Sequence, residues 1–184
     1  QPDKLPVEVL AEMCSVNDRD AHRRFAALLA IRTQYKSDHR DLLFGSIVMN
    51  PKSKDYSVCI MPPCDALRLK DETEFPFWKL DKSGNGHPVI VQCYDGKWIE
   101  LVFTPGRPSR FMRLSRFIPD PEKKIVRATE ADVGKFVFRA VDAEYEWVSQ
   151  LKPGHAQRMA NIIGHQLSRV GLTEAEWARI AFSK

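Results

Sequence analysis

Apolar positions in this chain cluster into short runs separated by tight polar turns, and only towards the two ends do they recur at three- and four-residue steps. Phe44, Ile47, Val48 and Met49, then Tyr56, Val58, Cys59 and Ile60, flank the turn-forming stretch Asn50-Pro51-Lys52-Ser53-Lys54-Asp55, which predicts a β-hairpin. Met61-Pro62-Pro63-Cys64-Asp65-Ala66 follows. Two consecutive prolines have no backbone donor for a ladder and turn their predecessors away from the helical region. The second strand must therefore end there, leaving Cys64 and Asp65 on a fixed loop at a sheet edge. Phe75, Phe77, Trp78 and Leu80 predict an aromatic strand. A second hairpin is predicted over Val89 to Cys93 and Trp98 to Phe103, because the Asp95-Gly96 pair between them favours the primed turns that match strand twist. Further short strands are expected over Arg110 to Phe117, Ile125-Val126 and Phe136-Val137-Phe138, the last beside a turn at Gly134.

Helical spacing marks the ends. Val7, Leu10 and Ala11 predict a short helix between Pro6 and Cys14. Ala21, Phe25, Leu28 and Leu29 predict a longer one from Asp18 to Tyr35, capped by Ser15, Asn17 and Asp18. Asp142 reads as the cap of another, with Ala143, Trp147, Val148 and Leu151 on one side and Lys152-Pro153 as its stop. Gly154 to Val170 carries Ala156, Met159, Ala160, Ile163, Leu167 and Val170 in one apolar stripe, and Gly171 ends it. Thr173 and Glu176 form a capping box ahead of Trp177 and Ile180. The expected fold is α+β. Its centre is an antiparallel, partly closed β-barrel-like sheet, SH3-like or similar, over residues 43–140, with an N-terminal helical segment at 1–42 and a C-terminal helical tail at 141–184 packed on it.

At 184 residues and 43% hydrophobic content the chain can fill one sizeable core. Its apolar runs fall short of the roughly 18 residues a membrane span needs, and no stretch reads as a signal peptide. Cys14, Cys59, Cys64 and Cys93 are scattered without a Cys-x-x-Cys pair, which fits a reducing cytoplasm and gives no metal-ligand spacing. No glycine-rich phosphate cradle follows a strand into a helix, so no cofactor is expected. The net charge of +4 is unevenly spread: residues 101–139 hold nine Lys or Arg against four acids, the whole basic surplus.

That segment supplies one candidate surface. Arg107, Arg110, Arg113, Arg116, Lys123 and Lys124 would meet any anionic partner, and arginines interleaved with Phe111 and Phe117 suit a nucleic-acid interface as well as an edge strand guarded by charge. Pro63, Cys64 and Asp65 supply a second candidate, an acid and a thiol side by side on a locked loop. A Cys/Asp-dependent hydrolase would need the thiol deprotonated by a cation, a helix N-terminus or one of His39, His87, His155 and His165. The plainer alternative has Asp65 capping the turn and Cys64 packed beneath it. Trp78, Trp98, Trp147 and Trp177 all fall on apolar patterns and read as core.

The run Ile60-Met61-Pro62-Pro63-Cys64-Asp65, with the tail blocks His155-Ala156-Gln157-Arg158 and Leu167-Ser168-Arg169-Val170-Gly171-Leu172-Thr173-Glu174-Ala175-Glu176-Trp177, resembles the C-terminal module of bacterial response-receiver-domain proteins. These are two-component-type signalling proteins, some of them encoded beside defence systems. The resemblance implies a non-enzymatic output module whose partner is a receiver domain or kinase of the same system. It also implies that the receiver lies upstream of this stretch.

Overall fold

The computed structural model of the chain describes residues 19–33, 39–106 and 108–168. The expected helices at 6–14 and after Thr173, the Ser15–Asp18 caps, Arg107, Gly171 and Trp177 lie outside them. In order, the chain forms α1 (Arg19–Ala30), β1 (Ser46–Met49), β2 (Tyr56–Cys59), a helical turn α2 (Pro63–Ala66) and β3 (Thr73–Leu80). It continues through β4 (His87–Gln92), β5 (Trp98–Phe103), a second helical turn α3 (Pro108–Phe111) and β6 (Met112–Phe117). It ends with β7 (Thr129–Asp132), β8 (Lys135–Arg139), β9 (Glu144–Gln150) and α4 (Pro153–Leu167).

The fold is α+β. Seven strands form one sheet in the order β6-β3-β2-β1-β9-β8-β7, while β4 and β5 form a separate two-stranded sheet. Each pairing is antiparallel. The large sheet is open, with β6 and β7 at its edges, and an isolated bridge between Phe117 and Ala140 ties β6 to the β8–β9 turn.

Both faces of this sheet are buried, and the strands show it in their sequence: successive residues are apolar because each side meets a core. On one face, Ile47, Val58, Trp78, Leu80 and Val148 pack against α4, the end of α1 and the β4–β5 hairpin, through Met159, Ile163, Ile31, Val91 and Phe103. On the other, Val48, Cys59, Phe75, Phe77, Phe117 and Phe138 pack under the loops carrying Leu42, Leu69 and Val126. On that loop side, Phe77 stacks on Tyr145 at 5.5 Å, Phe117 lies edge-on to Phe75 at 5.4 Å, and the Ser115 and Tyr145 hydroxyls are 2.6 Å apart. This aromatic cluster draws β6 towards β9, curling the sheet. Pro76, in the middle of β3, lies just past the end of β2. Its carbonyl accepts from the Ile60 N–H, so the donor that proline lacks is not needed.

Residues 144–150 overturn the helix expected from Asp142 to Leu151: they form β9, paired with β1 and β8. The reason is a β-bulge. Val48 faces Trp147 and Ile47 faces Ser149, so Val148 is the extra residue between them. It shifts the alternation by one, putting Val148 and Leu151 in the same core although they are three apart, a spacing that mimics a helix. The N-terminal helix ends at Ala30, five residues before the expected Tyr35, because Arg32 N–H bonds the Gln150 carbonyl and Ile31 bridges Leu151. Its buried face is Ala27, Ala30 and Ile31, leaving Phe25, Leu28 and Leu29 of the expected stripe 40–54% exposed. Arg110 and Phe111 belong to α3, so the strand begins at Met112. Ile125 and Val126 are loop-side core without being a strand.

Gly45 sits where β1 meets β2 and the approach to α4, at φ +82°, and a β-carbon there would stand 3.0 Å from that of Ala156. At Gly134 φ is +73° but the space is open. Gly45→Ala should therefore cost about 2 kcal/mol and Gly134→Ala about 1 kcal/mol, read as midpoint shifts in urea unfolding.

Candidate functional site

Pro63 opens α2 at a first-turn position, where its fixed φ is already helical and its missing donor is harmless. The turn is held by backbone: the Asp65 and Ala66 N–H groups both donate to the Pro62 carbonyl. The Asp65 side chain caps nothing. It accepts instead from the Cys64 thiol, 3.6 Å from Sγ to Oδ1, and both side chains are exposed. The residue that packs beneath the turn is Ala66, with Leu69 beyond it, so neither the expected cap nor the expected buried thiol is present. Among the described residues no cation or imidazole hydrogen-bonds to Cys64. His87 stacks on the Phe103 ring, and His155 lies 3.0 Å from the Arg158 guanidinium, where partial burial and that charge hold its imidazole below its ordinary range. Cys59 is different. Complete burial pushes its thiol up to about 12.

The basic residues do not form one stripe. Arg116 pairs with Glu72 at 3.0 Å, Arg127 with Asp41 at 2.9 Å and Lys135 with Glu146 at 2.7 Å, so much of the surplus is matched inside the fold. Arg110 lies over the Phe111 ring and Arg113 donates to the Met112 carbonyl, both exposed at the start of β6. Lys123 and Lys124 occupy a separate turn beyond its other end, fixed by the Asp120 side chain and by Leu69, which donates to the Lys124 carbonyl.

β6 itself is an edge strand, and its hydrogen-bonding sense can be read from its neighbours. Pro76 faces β2 and Arg116 accepts from Val141 on the side away from β3. With period two, Arg113, Ser115 and Phe117 face β3, and the backbone groups of Met112 and Leu114 face outward, without a partner strand among the described residues. Leu114 is 54% exposed there.

A third feature was not legible in the sequence. Between the β4–β5 turn and the face formed by β1, β2 and β9 lies a cleft of about 370 Å³. Met49, Ile99 and Val148 floor it and Tyr56 and Tyr94 supply rings, while Trp147 borders it with its ring turned to the other face, against Phe136 and under Arg40. Its charged groups are Lys54, Asp95, Lys97, Lys135 and Glu146. Glu146 is only 8% exposed. The Tyr56 hydroxyl is hydrogen-bonded to Cys93, and burial, then the Cys93 sulfur and the carboxylates Asp95 and Glu146, push it up to about 12. The Cys93 thiol is raised too, mainly by burial and then by Asp95. The ion pairs act the opposite way: Lys97 holds Asp95 low, and Glu146 holds Lys135 high. These groups come from five strands and two turns, and three of them, Glu146, Trp147 and Val148, lie in the segment that reads as a helix. Of these, the Tyr94-Asp95-Gly96-Lys97 turn and the Asn50–Asp55 turn that carries Lys54 had a sequence signal of their own.

Among the described residues no three His, Cys, Asp or Glu side chains are grouped to hold a metal, and no helix is long and apolar enough to cross a membrane. Comparison with family models, with curated proteins and with solved structures found no match.

Two thiol experiments follow from this geometry. Peptide mapping after brief alkylation at neutral pH should find Cys64 modified at the rate of a free thiol and Cys59 untouched until the protein unfolds. In alkali, Tyr56 and Cys59 keep their protons longer folded than unfolded. The stability they contribute is whole below their ordinary values of 10.0 and 9.0 and is lost as pH rises through about 12, so the urea midpoint should fall across that window. Tyr56→Phe should flatten the upper part of the fall.

Proposed function

We propose that this chain is a non-enzymatic protein-interaction module, the output part of a bacterial two-component-like or defence-associated signalling protein. The observation that carries this reading is the open edge of β6. Outward-facing backbone groups at Leu114 offer a partner strand ladder bonds, the exposed Leu114 side chain offers it apolar contact, and Arg110 and Arg113 beside it favour an acidic segment. The thiol and acid of α2 fit this reading, because among the described residues the exposed Cys64 is hydrogen-bonded to Asp65 and to no imidazole or cation. The resemblance in residues 60–65 and the C-terminal blocks supports a receiver domain or kinase of the same system as the partner.

Leu114→Pro tests the reading cleanly, since the lost donor faces away from β3 and the β3–β6 ladder is retained. Measured by biolayer interferometry against a receiver domain and a kinase of a two-component system, it should weaken binding by about tenfold or more, and Arg113→Glu should weaken it further at low salt than at high. Wild-type affinity in both variants, with the melting temperature preserved, would refute edge-strand docking. Tight, steeply salt-dependent binding to single-stranded DNA or RNA, with none to either protein, would replace it with the nucleic-acid reading.

A further inference from the structure

We propose that the groove between α1 and the β4–β5 hairpin binds a slender monocarboxylate with an apolar body and a hydrogen-bonding group at its far end. The groove has a volume of about 440 Å³, in the range of sites for small molecules. Arg24, Ala27, Leu28 and Ile31 line one side of it. Their spacing puts them on one face of α1, whose last turn is carried on to Ile31 by its N–H donating to the Ala27 carbonyl. Trp98 of β5 lines the hairpin side and Ser149 of β9 the sheet side. Ala27, Leu28, Ile31 and Trp98 make most of this lining apolar, and the body of the ligand follows from that.

The two ends of the ligand follow from two side chains that the fold leaves unused. Ser149 is 5% exposed, and its pairing with Ile47 turns its side chain to the face of the sheet that carries α1 and the hairpin. Its hydroxyl makes no hydrogen bond among the described residues, and an alanine there would avoid the cost of burying a bare hydroxyl. A group that hydrogen-bonds it from the groove removes that cost. At the rim, Arg24 is exposed and makes no ion pair among the described residues. The other polar side chains of the lining, Thr33 and Gln92, are uncharged, so this guanidinium is the charge the groove presents. It repels a cation and would leave the second charge of a phosphate unmatched, whereas a carboxylate meets its fork with two parallel hydrogen bonds. The separation of the two groups sets the length. Because the Arg32 N–H donates to the Gln150 carbonyl and Ile31 bridges Leu151, Ser149 lies at the Ile31 end of the groove. Arg24 stands two turns earlier, about 10 Å back along the helix axis.

The test is a titration of the full chain with para-hydroxyphenylpropanoate, and with ω-hydroxyoctanoate as its flexible counterpart, followed by the Trp98 indole resonance. Phenylpropanoate, which lacks the hydroxyl, and para-hydroxyphenylpropanamide, which lacks the charge, report on the two ends separately. A saturable shift is expected with at least one hydroxy acid at a Kd below about 1 mM, and the two truncated probes should each bind about fivefold or more weakly than the aryl acid. Arg24→Gln should abolish the preference for acid over amide, and Ser149→Ala the preference for the hydroxylated over the plain acid. The melting temperature should be unchanged in the first variant and equal or higher in the second, since neither loses a hydrogen bond or ion pair among the described residues. Four results would overturn the proposal: no saturable shift with either hydroxy acid up to about 10 mM, an amide that binds as tightly as the acid, wild-type preferences in both variants, or a melting temperature lowered by Ser149→Ala, which would show the hydroxyl already engaged in the fold.

Discussion

The ladder between β1 and β9 is the joint on which this molecule depends. Without it the large sheet divides into two pieces, β6-β3-β2-β1 from the first part of the chain and β9-β8-β7 from the last. The contact spans about a hundred residues of sequence, from Ser46 opposite Gln150 to Met49 opposite Glu146. Both cores form across it. Ile47 and Val148 look towards the helices, Val48 and Trp147 towards the loops. Such a long-range pairing gains nothing until the intervening chain is ordered, so it is secured by neighbours: the Leu151 N–H donates to the Gly45 carbonyl at its end, and the Lys152 ammonium donates to the Leu28 carbonyl.

Placement on that joint accounts for what could be read from the chain and what could not. The β1–β2 and β4–β5 hairpins were legible because their turns carry local chemistry, Asn50 bonding the Lys52 and Ser53 amides and Gly96 taking φ +80°. The stripe Ala156, Met159 and Ile163 of α4 was legible because a helix docked on one face keeps its period. β9 was not, since its bulge and its two buried faces erase the alternation that marks a strand. The stripe on α1 misled for a related reason. The helix lies against β4, and the chain just past its end is tied to the end of β9 through the Ile31–Leu151 bridge and the Arg32–Gln150 bond, so tertiary contact chose the buried face over spacing.

The sites divide in the same way. Cys64 and Asp65 were visible as neighbours in sequence, and the turn that holds them is local, but whether a thiol is activated depends on what folding brings to it, and among the described residues its hydrogen bond is to its own neighbour. Surplus positive charge in residues 101–139 was equally visible, whereas its neutralisation was not, because Asp41, Glu72 and Glu146 arrive from elsewhere in the chain. The cleft lies at the far end of that scale. Apart from the Tyr94–Lys97 turn, its lysines, rings and carboxylates come from separate stretches of chain, and its existence follows from the hairpin lying against the β1–β9 face.

Pro76 carries a consequence for how the strands find their places. In the native alignment Val58 faces Trp78, and the proline falls beyond the last rung of β2. Sliding β3 by two residues would preserve which side chains lie on each face, the kind of mistake a strand with two apolar faces is least able to detect. It would also bring Pro76 opposite Val58 and leave that carbonyl, deep in the sheet, staring at a ring with no proton to offer. The imino acid thus works as a stop on a sliding bolt, allowing one position of β3 and spoiling the next.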